Sequence, residues 1–180
     1  MVVLEIFLLL ILFFLLAYYS PSTLKATITG APFVPTPKPV IRKALKLADL
    51  KPNEKLYDLG SGSGRTLIIA SKEFKAKSVG FEYSIPLFCF TKLNLFFHQA
   101  KNSVVYRKNF LKADISEADV VFLYLMPKAF KKLENKFKKE LKNGTRVVSF
   151  TFPLQFWEPK EVISSSEKEP ELKIYLYIKE

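Results

Sequence analysis

The chain has 180 residues, enough for one domain around one core. Lys and Arg total 28 against 17 Asp and Glu, a formal net charge of +11; that excess points to an anionic neighbour (nucleic acid, membrane headgroups or an acidic protein face) unless it only keeps a lysine-rich surface soluble. A single cysteine, Cys89, excludes an intrachain disulfide. A single histidine, His98, leaves no zinc-ligand set and no support for a Ser-His or Cys-His hydrolase.

Residues 2–19 are almost wholly apolar, with Glu5 as the one charge and an uninterrupted run from Ile6 to Tyr19. Counted from Val2 the run can span a bilayer; counted from Ile6 it is borderline. A cleaved signal peptide, with a positive start and small residues at the cut, is the rival reading, but the segment opens with Glu5 rather than Lys or Arg, and its exit reads Leu16-Ala17-Tyr18-Tyr19-Ser20. Tyr18 and Tyr19 suit the interfacial belt, so the expectation is a retained single-pass anchor over residues 1–20. Lys25, Lys38, Arg42, Lys43 and Lys46 follow it, and the positive-inside rule then places the domain on the cytoplasmic side of the membrane. Residues 21–38 read as a proline-rich linker. Pro32–Pro37 cannot be regular helix and should be extended, either as a stiff spacer or as a loop folded back over a pocket; Phe33 and Val34 favour docking.

The domain proper, 39–180, alternates helix and strand. Pro39–Leu50 reads as an amphipathic helix, with Val40, Ile41, Ala44, Leu45, Leu47 and Ala48 on its apolar face. Strands are expected at Lys55–Leu59, Ser78–Glu82, Val104–Tyr106, Asp119–Leu125 and Thr145–Thr151, then Glu161–Ser164 and Leu172–Lys179 as an antiparallel pair. Helices are expected at Gly64–Lys72, from an N-capping Ser84 to about Ala100, and from Pro127 to about Lys142. Cys89, between Phe88 and Phe90, is expected to be a buried, inert thiol. The order gives an α/β fold, a mostly parallel sheet with helices on both faces, and ligands bind such sheets at the C-terminal strand ends.

The stretch Asp58-Leu59-Gly60-Ser61-Gly62-Ser63-Gly64-Arg65 joins the first strand to the next helix. Glycines let the backbone turn tightly and approach a ligand, and the helix N-terminus presents free N–H groups. Arg65 stands where the dinucleotide fingerprint requires its third glycine. Asp58 would repel a pyrophosphate but suits a ligand with an ammonium group and no phosphate, which points to S-adenosylmethionine (SAM). Glu82, ending the second strand, is placed to accept both ribose hydroxyls. Asn109 and Phe110, after the third strand, are suited to the edge and face of an adenine; the alternative is an ordinary loop residue and a core phenylalanine.

With these residues the chain resembles the class I SAM-dependent methyltransferases. More narrowly, it is similar to the small membrane-anchored protein-lysine methyltransferases that act on the c-subunit of mitochondrial ATP synthase and on the adenine nucleotide translocase. The similarity covers the N-terminal apolar segment, Pro32–Pro37, Asp58–Arg65, Glu82, the Arg107–Phe110 turn, Phe152-Pro153 and Trp157. The resemblance implies a Rossmann-like, seven-stranded sheet behind one transmembrane helix. It implies that Asp58 and the Gly60–Gly64 backbone hold the methionine part of SAM, and that Glu82 holds the ribose. Ser63 and Asn109 stand where the family usually or often has an acid. Tyr124-Leu125-Met126-Pro127 lacks the acidic or amide residue and double proline of enzymes that methylate adenine or glutamine. Tyr124, Pro35 and Thr36 are candidates to line a lysine channel, with a strand tyrosine in the core as the alternative for Tyr124. Trp157 is expected as a roof over the acceptor or as an interfacial anchor.

Seven lysines, Lys128, Lys131, Lys132, Lys136, Lys138, Lys139 and Lys142, stud one expected helix, either against anionic lipid or as a solvated face with Glu134 and Glu140. The expected activity is SAM-dependent N-methylation of lysine in a membrane-embedded protein, without a metal. The alternatives are an RNA or small-molecule methyltransferase, disfavoured for RNA because no interleaving of basic and aromatic residues is visible, and a SAM-binding membrane-interaction protein without catalysis.

Overall fold

The computed structural model describes residues 33–180, together with Glu5. The expected anchor, apart from Glu5, and the linker up to residue 32 lie outside the described residues. Among the described residues no helix is long and apolar enough to cross a membrane.

The described elements are α1 (Lys38–Leu47), β1 (Lys55–Leu59), α2 (Arg65–Glu73), β2 (Lys77–Glu82), α3 (Ile85–Phe97), β3 (Ser103–Arg107), a 3-10 turn (Phe110–Lys112), β4 (Val120–Leu123), α4 (Pro127–Glu140), β5 (Arg146–Phe150), β6 (Glu161–Ser164) and β7 (Lys173–Ile178). They build one seven-stranded sheet in the order β3-β2-β1-β4-β5-β7-β6. Pairing is parallel from β3 through β5, and antiparallel where β7 lies between β5 and β6. The chain order reverses between β1 and β4, which opens a crevice beyond their C-terminal ends.

Alternation along the strands divides the core. Leu56, Val120, Phe122, Val148 and Phe150 face α1 and α2 on one side. Tyr57, Leu59, Val121, Leu123 and Val147 face Phe130, Leu133 and Phe137 of α4 on the other. Leu95 of α3 packs with Leu67 of α2 and Val105 of β3 at the β3 edge. Three helices thus cover one face and a single helix covers the other, because β3 returns to β4 through a 3-10 turn rather than a helix. Arg146 of β5 fastens α1 to the sheet: its guanidinium donates to the Ala48 and Asp49 carbonyls, both at 2.9 Å, and to Glu54 Oε1 at 2.6 Å.

Several details depart from the sequence-based expectation. Cys89 is exposed: α3 turns Thr91 and Leu95 inward, and two residues of helix rotate Cys89 to the opposite side. Ser84 stands at the N-cap of α3 without a side-chain cap bond. Strand β4 stops at Leu123, and α4 ends at Glu140. Lys136 does not join a basic outer face: it is buried, donating to the Ala113 carbonyl and to Glu140.

Candidate active site

Strand β1 delivers Asp58 to the crevice, and the loop that follows turns through Gly60, Gly62 and Gly64 at φ of 95°, 53° and 76°. These left-handed angles strain any residue with a Cβ. Space at two of them is closed as well. A Cβ on Gly62 would stand 2.9 Å from the Phe33 ring, and one on Gly64 would stand 2.7 Å from Thr91 Cγ2.

Neighbouring elements hold the loop by its backbone. The Gly60 and Ser61 amides donate to the Phe81 carbonyl at 3.0 and 3.1 Å. The Gly62 amide donates to Glu82 Oε2 at 2.9 Å, and the Ser84 amide to Glu82 Oε1 at 2.7 Å. From α3, Thr91 Oγ1 donates to the Gly62 carbonyl at 2.5 Å and Asn94 Nδ2 to the Ser63 carbonyl at 2.9 Å. Glu82 therefore shapes the loop, and with three amides bonded to its two oxygens it keeps acceptor capacity for a ligand.

The loop, the ends of β1, β2 and β4, the 3-10 turn and residues 33–36 enclose a cavity of about 530 Å³. Pro35, Thr36, Asp58, Gly60, Ser61, Gly62, Glu82, Asn109, Phe110 and Tyr124 all line it. Gly64 does not: it caps α2 against Thr91. Trp157 is not a lining residue either; its ring lies 5.6 Å from that of Tyr177, on the α4 side of the sheet. Asn109 Oδ1 already accepts from the Leu111 amide at 2.9 Å, so one lone pair remains on that oxygen. Tyr124 lies just past β4 with its ring 4.7 Å from Phe150.

Sequence reasoning missed Thr91 and Asn94, although two uncharged polar residues three apart in a helix whose only other polar residue is Lys92 were a visible signal. It also missed the cations at the cavity wall, Arg65, Arg107, Lys108, Lys112 and Lys132. Arg65 lies inside the glycine stretch, and its Nη1 donates to the Thr36 carbonyl at 3.4 Å, tying the proline segment to α2.

Two buried acids dominate the floor. Burial pushes the Asp58 carboxyl up to about 7; a Thr66 hydrogen bond opposes the rise and the Glu82 charge adds to it. Burial also raises Glu82, opposed by the amides of Ser84, Gly62 and Tyr83. Among the described residues neither acid belongs to an ion pair, and no cluster of His, Cys, Asp and Glu could hold a metal. Ser61 Oγ is buried without a hydrogen-bond partner. A ligand with an ammonium group and a hydroxyl pair meets these needs: it supplies the missing cation at Asp58 and donors at Glu82. The residues present fit SAM.

The fold and this floor define a methyltransferase of the SAM-dependent class. Residues 58–161 match the family described as the ANTKMT methyltransferase domain. A protein-lysine N-methyltransferase of Saccharolobus islandicus is 39% identical over 153 residues, covering 82% of this chain and 92% of that protein. The adenine nucleotide translocase lysine N-methyltransferase of Mus musculus is 32% identical over 133 residues, covering 73% of this chain; the chain spans only 58% of that relative's length. An RNA methyltransferase from Salinibacter ruber, solved with S-adenosyl-L-homocysteine, superposes with a TM-score of 0.76 at 36% identity, covering 81% of this chain and 93% of that one. The chain belongs to the ANTKMT methyltransferase family, and its cofactor is SAM.

Proposed function

We propose that this methyltransferase acts on the side-chain amine of lysine in a membrane-associated protein, with residues 1–20 as its anchor, 21–38 as a linker and 39–180 as a domain on the cytoplasmic side. The observation that carries the lysine reading is the composition of the cavity. It runs from the acids Asp58 and Glu82 to Tyr124, Pro35 and Thr36, and its lining contains no histidine or cysteine to serve as base or nucleophile. An amine is the acceptor that needs neither. The names of the archaeal and mouse relatives support the same substrate class. The apolar run at residues 6–19 supports the membrane.

Bound SAM supplies an electrophilic methyl on a sulfonium sulfur. The chain's residues do the rest. Asp58 receives the ammonium, Glu82 the ribose hydroxyls, and Asn109 with Phe110 the adenine. Tyr124, backed by Phe150, forms a firm wall, and Pro35 with Thr36 closes the slot opposite, so that donor and acceptor are aligned away from water. The lysine Nζ must be neutral to attack. Burial and the nearby cations Arg65 and Lys132 disfavour its charged form, so its proton leaves to solvent before the transfer. SAM held by Asp58, Glu82, Asn109 and Phe110 would supply its methyl to that neutral amine, whose remaining surplus proton would pass to solvent.

The test is incubation of full-length protein with labelled SAM and native membranes, followed by peptide mapping. Label on lysine of a membrane protein is the expected outcome. Tyr124→Ala should lower turnover at least tenfold while calorimetric SAM binding changes little, because the ring bounds the acceptor side. Label in RNA would favour the second reading, which draws on the Salinibacter relative and the cationic cavity wall. Label only on small molecules would overturn both.

A further inference from the structure

Among the described residues, helix α3 carries an apolar face that the core does not use. Opposite the buried Thr91 and Leu95, Cys89, Leu93, Phe96 and Phe97 fall at i, i+4, i+7 and i+8, one stripe of a helix. Leu93 is 55% exposed, Phe96 76% and Phe97 73%, and the two phenylalanine rings meet edge to face at 5.6 Å. No other large apolar side chain among the described residues is as exposed as this phenylalanine pair.

Charge narrows the occupant. From residue 83 to residue 113 the sequence contains Lys92, Lys101, Arg107, Lys108 and Lys112 and no acid at all. A second copy of the chain would bring two such edges together and set like charges against each other. RNA would answer the charge, but the stripe offers Leu93 and paired phenylalanines rather than separate rings on which bases stack. An anionic bilayer answers both features, because apolar side chains enter the acyl boundary while Lys and Arg meet the headgroups. With residues 1–20 as the proposed anchor, the domain would also be tethered close to such a surface. Residues 20–32 span at most about 45 Å between the apolar run and Phe33. Phe33 lies against Gly62, whose carbonyl is bonded to Thr91 of α3.

We propose that the Cys89–Phe97 stripe of α3 seats on an anionic lipid bilayer as an in-plane contact, which lays the cavity mouth beside the membrane. Ile85 and Leu87, in the first turn of the same helix, line that cavity. The contact rests on the membrane-associated substrate for its purpose and not for its chemistry.

Cys89, the sole cysteine, supplies the probe. Full-length protein carrying a nitroxide on Cys89 is reconstituted into vesicles of phosphatidylcholine with or without phosphatidylserine. Accessibility to oxygen and to a polar nickel complex is then measured by electron paramagnetic resonance. A second preparation carries the label on α4, as Cys89→Ser with Lys139→Cys. Expected is loss of nickel accessibility and gain of oxygen accessibility at position 89 in the anionic vesicles, with position 139 remaining aqueous. Phe96→Glu with Phe97→Glu should return position 89 to water while SAM binding by calorimetry is unchanged, since neither side chain reaches the cavity. Persistent nickel accessibility at position 89 in anionic vesicles overturns the proposal. So does protection by RNA in place of lipid, or spin–spin broadening in lipid-free detergent, which would assign the stripe to a second copy. Loss of SAM binding in every preparation would strike the methyltransferase reading instead, and leaves the lipid result to be read by itself.

Discussion

Replacing Asp58 by Asn should make the protein more stable and less able to bind its cofactor, and the gain should grow with pH. The folded carboxyl holds its proton up to about pH 7, whereas the unfolded group releases it near 3.8. Between those values the folded state binds more protons than the unfolded state, so stability falls as pH rises. The whole difference amounts to roughly 4 kcal/mol against the ionised form. The part that falls between pH 5 and pH 8 is roughly 3 kcal/mol. For a domain of this size that corresponds to a melting difference of about 6–12 °C. Asparagine keeps the shape and can still accept the Thr66 hydrogen bond, but it has nothing to ionise. Thermal unfolding of full-length wild type and Asp58→Asn in mild detergent, at pH 5 and pH 8, should therefore diverge at the higher pH; the Glu82 titration is common to both proteins. Calorimetry at pH 7.5 should show the opposite ranking, with SAM affinity reduced about 10–100-fold in the variant, the worth of a charge-assisted hydrogen bond. Wild-type affinity should also rise between pH 5.5 and 7, by about one decade per pH unit well below the carboxyl's midpoint, as Asp58 ionises to meet the ammonium. A melting gap that does not widen with pH would refute the placement of a proton on Asp58 in the free protein.

Glu82→Gln should weaken SAM binding by about 10–100-fold in the same calorimeter, because an amide offers one acceptor oxygen to the ribose and to the loop amides where the carboxylate offers two. Gly64→Ala should destabilise the fold by about 1–3 kcal/mol, from its positive φ and the approach of Thr91 Cγ2. Thr91→Ser in the same chain should recover the steric part only, and a double-mutant cycle in urea reads the difference. Arg146→Met should cost about 1–3 kcal/mol in urea unfolding, since it strips the Ala48 and Asp49 carbonyls and Glu54 of their partner, while SAM binding stays unchanged because Arg146 does not line the cavity.

Much of this was legible in the sequence where a residue's local chemistry and its tertiary role coincide. Strands β1 and β6 match the expected spans because turn residues bound short, β-prone runs. The acids at positions 58 and 82 could be placed because each stands at the C-terminal end of a strand, where a parallel sheet presents its ligand crevice. Gly64 was legible as a glycine and not as to its purpose: the same positive φ serves a ligand cradle or a tight helix start, and only the approach of Thr91 decides. Trp157 shows the opposite failure. Its place against Tyr177 depends on β7, which follows it by some twenty residues, and nothing in residues 152–157 encodes that contact. Lys136 was hidden among six other lysines; its partners are Glu140, one turn on in the same helix, and the Ala113 carbonyl, which the connection from β3 to β4 brings to it.

Helix α3 is where sequence and structure diverge most usefully. The expectation of a buried Cys89 followed from its apolar neighbours in sequence, Phe88 and Phe90. Burial on all sides requires neighbours on all sides, and α3 sits over the β3 edge, where the sheet ends. The connection from β3 to β4 adds only a 3-10 turn, so among the described residues no element covers the outside of the edge, and Val104 and Tyr106 of β3 stand exposed as well. The inward side of α3 is specific: Thr91 and Asn94 hold the glycine loop by two carbonyls. The outward side has no such partner among Leu93, Phe96 and Phe97, and exposing them to water costs about 1.5–3 kcal/mol for each large apolar side chain relative to burial. A helix that grips the cofactor loop with one face and carries that cost on the other would recover it against a second apolar phase, as proposed for the bilayer. Seating that phase on the stripe would act on the same helix that sets the positions of Gly62 and Ser63.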